Sequence, residues 1–354
     1  MSKGKKRAII IISVSVPLAF LLVFMPLFTV IIYEAIFGAR YETAEWLEYS
    51  VEDFEGLAVE RSDFVSDGTT LAGYKYSKDS DTVKGVVVIA HGLGGGGHNT
   101  YMPFIDCFAE NGYYVFAYDA HGNDQSGGRS VKGLPQGLVD LDSALCHVKT
   151  LEEYSQLPIV LFGHSWGGYS VGNVLAFHPD VKAAVIVAGF NESEDMLSYQ
   201  GEKFAGPTVD FGMLYLDAYE KLKFGKEYAD MSATQAMQGS DAGVMIIHGG
   251  EDATVPAEYG YDKLYEVFGD NDRFDFLFYE DRGHDYIFYS DASEEYREQL
   301  NADYKRYVEE NGKKYNSETK AEFMNAHLDK KLCFEPDAEL MERILEMYDE
   351  YCCG

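Results

Sequence analysis

The chain is poor in cysteine. Its 354 residues include five cysteines, and none of them form a Cys-x-x-Cys pair: Cys107, Cys146, Cys333, Cys352 and Cys353. An odd count without such a pair indicates neither a zinc ribbon nor a disulfide framework, so we expect free thiols; pairing of Cys352 or Cys353 with Cys333 or with another chain is the alternative. The sequence also lacks internal repeats and low-complexity linkers, which excludes repeat architectures.

Positive charge is scarce as well. Lys and Arg number 29 against 59 Asp and Glu, which gives a net charge of -30. Such an acidic chain repels phosphate backbones, so nucleic acid is not an expected partner. The glycine run at 94–97 lacks the Lys-Ser/Thr of a phosphate loop, so nucleotide binding is not expected either. The sequence predicts no cofactor and no metal site.

A long apolar run lies close to the N-terminus. Residues 8–33 carry no charge, and a basic cluster with Lys3, Lys5, Lys6 and Arg7 precedes them. A helix of that length exceeds a hydrocarbon layer of about 30 Å and can span it with some tilt. We therefore predict a cytoplasmic stub at 1–7, a transmembrane signal anchor at 8–33 in a cell membrane and, after it, an extracytoplasmic domain.

A cleaved signal peptide is the alternative for this run. Its apolar region would normally extend over about 7 to 15 residues and end at a small-x-small site. The run is longer than that, and Ala35, Gly38 and Ala39 form a poor cleavage site. The sequence thus favours an uncleaved anchor, followed by a juxtamembrane stalk at 34–55.

Strand and helix patterns alternate through a predicted domain at 56–354. Two strand-like segments at 57–65 and 70–76 flank an Asp-Gly turn and predict an antiparallel hairpin. Continuous apolar runs then predict buried strands at 85–90, 113–118, 158–162, 181–188, 244–248 and 274–279. This alternation predicts an α/β fold with a mostly parallel, eight-stranded sheet and helices on both faces.

Two regions depart from the alternation. Residues at about 190–231 are polar and aromatic and contain no core strand, which suggests a lid inserted after the sixth strand. Residues at about 290–354 are charged and helical, and form a C-terminal tail.

The most informative motif is Gly163-His164-Ser165-Trp166-Gly167-Gly168, which lies between an apolar strand and an apolar helix. A serine in such a turn is exposed above the sheet edge at a helix N-terminus, as a nucleophile requires. An acyl-transferring serine also needs a base and an orienting acid. His284 follows the last strand and is the candidate base. Asp252 follows the seventh strand and is the preferred acid.

Two further elements complete the candidate site. Glu251, one residue from Asp252, is the alternative acid. The glycines after His91 leave backbone N–H groups unobstructed, so Leu93 and Trp166 are the predicted oxyanion-hole donors. The order serine, acid, histidine is the order expected when the serine lies in such a strand-to-helix turn.

These motifs give the chain a resemblance to a known superfamily. From about residue 56 to 354 it resembles the α/β-hydrolases, and is similar to their lysophospholipase, monoacylglycerol lipase and serine aminopeptidase-like group. The matching pieces are His91-Gly92, Asp119-Ala120-His121-Gly122 with Ser126-Gly127, Gly163 to Gly168, Asp252 with Val255-Pro256, and Gly283-His284. One departure is Asp124, which replaces a glycine of the family's Gly-x-Gly-x-Ser loop and predicts a reshaped loop.

The sequence therefore predicts a membrane-anchored serine hydrolase that cleaves small-molecule or lipid esters through an acyl-enzyme on Ser165. A peptidase that releases small N-terminal residues is the alternative enzyme. A non-catalytic binding protein that keeps the fold is the alternative from another class. The oligomeric state is not predicted.

Overall fold

The computed structural model describes residues 4, 5, 13, 15, 17–80 and 82–353. Most of the predicted stub at 1–7 and the first part of the predicted span at 8–33 lie outside the described residues. Ten strands are described: β1 Ala58–Arg61, β2 Phe64–Ser66, β3 Thr69–Leu71, β4 Gly73–Ser77, β5 Gly85–Ala90, β6 Tyr113–Tyr118, β7 Ile159–His164, β8 Ala183–Val187, β9 Gly243–Gly249 and β10 Phe274–Tyr279.

Eight of these strands form one sheet in the order β1-β4-β6-β5-β7-β8-β9-β10. The six strands from β6 to β10 in that order pair in parallel, whereas β4 pairs antiparallel with β6 and β1 antiparallel with β4. The predicted fold class, a mostly parallel eight-stranded α/β sheet, is confirmed. Because parallel strands end at the same edge, the loops after β5, β7, β9 and β10 meet there.

The predicted hairpin is divided into two ladders. β1 pairs with β4 in the main sheet, while β2 and β3 form a separate two-stranded ladder. The strand pairing changes next to Gly73, the first residue of β4. An added Cβ at Gly73 would lie 2.3 Å from the Ser62 carbonyl oxygen and 2.7 Å from the Phe116 ring. The absence of a side chain at Gly73 lets the ribbon bend onto the sheet.

Helices cover both faces of the sheet. They are α1 Pro17–Phe37, α2 Met102–Glu110, α3 Leu134–Val148, α4 Trp166–Val174, α5 Ser193–Ala205, α6 Asp210–Phe224, α7 Lys226–Ala229, α8 Ala233–Gln238, α9 Tyr261–Phe268, α10 Asp291–Glu310, α11 Ser317–His327, α12 Lys330–Cys333 and α13 Ala338–Cys353. All six residues of β5 are buried, and alternate ones enter the two core clusters on opposite faces. This explains why the strand is apolar throughout rather than alternating.

The segment after β8, at 190–231, is helical and comprises α5, α6 and α7. The apolar helix α1 has 21 described residues and a mean hydropathy of 2.3, long and apolar enough to cross a membrane. It packs along α6. Thr29, Tyr33 and Phe37 recur every four residues on α1 and are buried, and the Tyr33 ring meets the Tyr219 ring of α6 edge-on.

Residues 34–55 lie against the domain. Arg40 donates hydrogen bonds to the carbonyl oxygens of Asp124, Ser126 and Gly128, at 2.8, 3.1 and 2.5 Å. Further along, the Tyr49 backbone N–H donates to the Asn99 side chain at 2.7 Å. The chain between α1 and β1 is therefore tied to the loops at the carboxyl edge of the sheet.

Candidate active site

Ser165 lies at a sharp turn between β7 and α4. Its backbone has φ 56° and ψ -116°, a region that non-glycine residues adopt at a cost. An added Cβ at Gly163 would lie 2.3 Å from the Gly167 carbonyl oxygen, and one at Gly167 would lie 1.9 Å from the Ala90 carbonyl oxygen. Only glycine fits at these two positions, so the Gly-x-Ser-x-Gly spacing follows from the close contact between turn, helix and β5.

The structure brings the predicted nucleophile, base and acid together. The His284 Nε2 atom lies 2.9 Å from the Ser165 Oγ atom, and His284 Nδ1 lies 2.6 Å from Asp252 Oδ2. These residues come from the loops after β7, β9 and β10, separated by 119 and 32 positions in sequence. A neutral His284 with its proton on Nδ1 donates to Asp252 and accepts from the Ser165 hydroxyl, the arrangement that a general base requires.

Asp252 is held as a carboxylate. Burial acts to raise its pKa, but hydrogen bonds from His284 and from the Val255 backbone N–H outweigh it and place the pKa below the usual range. The other oxygen, Oδ1, accepts from the Thr254 and Val255 N–H groups at 2.9 and 2.8 Å. Glu251, the alternative acid, is exposed. The geometry thus favours Asp252 over Glu251.

His164 links the three loops of the site. Its Nε2 lies 3.1 Å from the His284 carbonyl oxygen, and its Nδ1 lies 2.9 Å from the Tyr101 hydroxyl, which accepts from the Gly92 N–H at 3.0 Å. Burial lowers the pKa of His164 to about 3, so the ring is neutral. A neutral ring donates to His284 and accepts from Tyr101. Sequence reasoning missed Tyr101, because nothing local marks its contact with a residue 63 positions away.

The predicted oxyanion-hole residues both border the site. Leu93 and Trp166 line the same cavity as Ser165. Trp166 is the first residue of α4, so its N–H has no acceptor within the helix. The neighbouring Gly94 and Gly96 have φ of 95° and 96°, which side chains rarely tolerate. Two N–H groups at this position are suited to a developing oxyanion.

Asp124 connects two segments next to the site. Its carboxylate accepts from the Thr43 N–H at 2.6 Å, the Thr43 hydroxyl at 2.7 Å and the Gly97 N–H at 2.8 Å. It therefore joins the segment after α1 to the glycine-rich loop that carries Leu93. A glycine at this position would leave those three donors unpaired.

Within the described part of the chain, two groups of donors lie close enough to share a metal ion. They are His164, His284 and Asp285, and Asp142, Cys146 and His178. In the first group the ring nitrogens are engaged with Tyr101, Ser165 and Asp252. In the second, His178 lies between Asp142 and Lys149, at 2.8 Å from each. We assign no metal to either group.

Ser165 opens into a cavity of about 1700 Å³. This is larger than the roughly 300–1,000 Å³ typical of ligand pockets. Its wall is mainly apolar and comes from α1, α5 and α6, from α10 and α11, and from the loops of the site. Among the described residues, the charged side chains that line it are two acids and two bases: Asp210, Asp285, Arg297 and Lys320. The cavity therefore suits an uncharged, apolar group.

A buried carboxyl connects α1 to α5 and α6. Glu220 of α6 accepts from the Tyr33 hydroxyl at 2.6 Å and from the Ser193 hydroxyl at 2.8 Å. Nearby, Glu34 accepts from the Tyr219 hydroxyl at 2.6 Å and pairs with Lys223. Burial raises the pKa of Glu220 to about 7, although both hydroxyls act to lower it.

Glu220 should make stability depend on pH. Its pKa is about 4.3 in an unfolded chain, so the folded protein holds this proton more tightly. Its stabilising contribution is complete below the unfolded pKa and declines as pH rises through about 7. We expect Glu220→Gln to raise the melting temperature relative to wild type by several degrees more at pH 8 than at pH 5.

The measurement is thermal unfolding of the detergent-solubilised full chain at both pH values. Glu227→Gln, an exposed glutamate on the neighbouring α7, is the matched control and should show no such difference. An effect of Glu220→Gln that is equal at both pH values, or larger at pH 5, would contradict the assignment.

Part of the chain matches a known family model. Residues 81–209, which include Ser165 and Leu93, match the model described as serine aminopeptidase, S33. The quorum-quenching protein AidA of Acinetobacter baumannii is 29% identical over 115 residues, which are 32% of this chain and 37% of AidA. The aligned part therefore spans just over a third of that relative.

Solved structures share the fold over a larger part of the chain. An esterase of Pyrococcus furiosus superposes with a TM-score of 0.54 over 77% of this chain and 98% of the esterase, at 14% sequence identity. A second crystal form of that esterase gives the same TM-score at 16% identity. At this level of identity the likeness concerns the fold alone.

Proposed function

We propose that this member of the α/β-hydrolase superfamily is a membrane-anchored serine hydrolase of carboxylic esters that acts through Ser165. The observation that carries this proposal is the hydrogen-bonded series Asp252–His284–Ser165 at the wall of an apolar cavity. Each member has the polarity and position that acyl transfer requires.

The proposed reaction has two halves. The Ser165 Oγ bonds to the acyl carbon while its proton passes to His284 Nε2, and the N–H groups of Leu93 and Trp166 stabilise the oxyanion. As the carbon–oxygen bond of the ester breaks, the same proton passes to the leaving alcohol. Water then repeats these steps on the acyl-enzyme and releases the acid. Asp252 stabilises the imidazolium of His284 throughout.

The lining of the cavity supports an ester over a peptide substrate. A peptidase that removes N-terminal residues must bind a cationic amine, which a cluster of carboxylates would favour. The two acidic side chains in the wall are accompanied by two basic ones, and the rest is mainly apolar. Apolar acyl chains gain about 0.8 kcal/mol for each methylene that leaves water.

We further propose that α1 is a retained anchor. A cleaved signal peptide would leave the mature protein, yet Tyr33 and Glu34 of α1 hydrogen-bond to Glu220 and Tyr219 of α6. The basic cluster before the apolar run supports a cytoplasmic N-terminus and an extracytoplasmic catalytic domain. The inserted segment at 190–231 would act as the lid of the cavity.

A substrate panel tests the proposal. We expect the full chain in detergent to hydrolyse p-nitrophenyl acyl esters with a kcat/KM at least about 100-fold higher than that for aminoacyl-p-nitroanilides. The rate of p-nitrophenol release is compared with that of p-nitroaniline across both series. Preference for the anilides would replace the esterase with the peptidase, and intact protein without either activity would support a non-catalytic binding protein.

A further inference from the structure

The helix α1 forms part of the wall of the catalytic cavity. Leu21, Met25, Phe28, Ile32 and Ile36 all line it. Their spacing of three or four residues places them on one face of the helix. Tethering alone does not require α1 to line the cavity that contains Ser165.

Another face of α1 is directed away from the domain. Val23, Leu27 and Ile31 are 63%, 58% and 56% exposed and do not line the cavity. A helix that is apolar on every side is stable where its outer face leaves water, as in a bilayer. One helix thus has an exposed apolar face, suited to lipid, and a cavity face.

The first turns of α6 complete the opening. Phe211 and Leu214 are both 71% exposed and also line the cavity. Between them, an added Cβ at Gly212 would lie 3.6 Å from the Thr29 Oγ1 atom, so α6 meets α1 here. Side chains that are exposed and also line a cavity mark its opening. The cavity therefore opens beside the contact of α1 with α6.

The depth of this opening follows from the length of the apolar run. About 20 helical residues cross the hydrocarbon of a bilayer, and the run begins at Ala8. The outer boundary of the hydrocarbon then falls between Leu27, for an untilted helix, and Tyr33, where the tilted span predicted at 8–33 ends. Leu21 and Met25 lie within the outer half of the bilayer, and Ile32 and Ile36 lie at its surface.

We propose that the opening beside the contact of α1 with α6 is a lateral portal, through which the acyl chain of a membrane-resident ester passes from the outer half of the bilayer to Ser165. The inner face of α1 is then an acyl-chain-binding surface as well as part of an anchor. This inference rests on the proposed esterase function. An acyl chain that follows this route moves from hydrocarbon to an apolar wall and need not cross water.

Adjacent isoleucines of α1 provide a matched test. Ile32 lines the cavity and Ile31 does not, although both are partly exposed, at 44% and 56%. Tryptophan at Ile32 narrows the portal and remains compatible with the membrane surface. The quantity measured in lipid nanodiscs is the kcat/KM for a long-chain monoacyl ester divided by the kcat/KM for p-nitrophenyl acetate. We expect Ile32→Trp to lower this ratio by about tenfold or more. Ile31→Trp should leave this ratio at the wild-type value.

A second pair tests the same portal from α6. Leu214→Trp should lower the ratio as Ile32→Trp does, whereas Leu222→Trp should not, since Leu222 is 84% exposed on the same helix and does not line the cavity. Circular dichroism spectra equal to that of wild type verify the folding of all four variants, and a fluorophosphonate probe is applied to the wild-type protein. If the two variants of each pair give equal ratios, the proposed portal is wrong, whereas the proposed esterase function is unaffected. Wild-type protein that the probe does not label would overturn the proposed function itself.

Discussion

Ser165→Ala is expected to abolish labelling by a fluorophosphonate probe and to lower kcat for p-nitrophenyl esters by about 10⁴- to 10⁶-fold. The physical reason is that the Oγ atom is the group that His284 Nε2 approaches at 2.9 Å, so the variant has no atom to form the acyl-enzyme. Residual activity would come from the oxyanion donors and from substrate binding alone.

The measurement combines probe labelling with single-turnover ester hydrolysis. Ser155→Ala is the matched control, because Ser155 is an exposed serine whose hydroxyl donates only to the nearby Glu152 carbonyl oxygen. We expect it to label and turn over as wild type does. Labelling that persists in Ser165→Ala would show that another residue is the nucleophile.

Asp252→Asn is expected to lower kcat by about 10⁴-fold. An amide at this position can donate to His284 Nδ1, which would move the ring proton to Nε2 and leave no acceptor for the Ser165 hydroxyl. The two backbone N–H groups that bind Oδ1 can still bind the amide oxygen, so the fold of the loop should be kept.

Glu251→Gln is the matched control for this variant. It makes the same carboxylate-to-amide change one residue away, on a side chain that is exposed rather than buried. Steady-state kinetics on one ester should show kcat unchanged in Glu251→Gln. The reverse result, with activity lost in Glu251→Gln and kept in Asp252→Asn, would make Glu251 the orienting acid.

Much of the fold is predictable because its signals are local. The run of β5 is apolar throughout since both of its faces are buried, and the glycines at 163 and 167 mark a turn too close-packed for side chains. The boundary between β1 and β2 was not predictable, because it depends on the contact of Gly73 with Phe116, which lies 43 positions away in sequence.

For the candidate site, the sequence by itself determined the residue types, their order and the strand ends at which they lie. Only the tertiary structure decided that Asp252 rather than Glu251 meets His284, because the two differ only in the direction of their side chains from one loop.

The tertiary structure likewise decided which face of α1 contacts the rest of the protein. Its composition predicted a span, but a helix that is apolar on every side has no periodicity to show which face has a protein partner. That choice depends on α6, whose contacts with α1 come from residues more than 180 positions away. Contact between segments so distant in sequence is a property of the folded chain, and it places α1 in the wall of the cavity that holds Ser165.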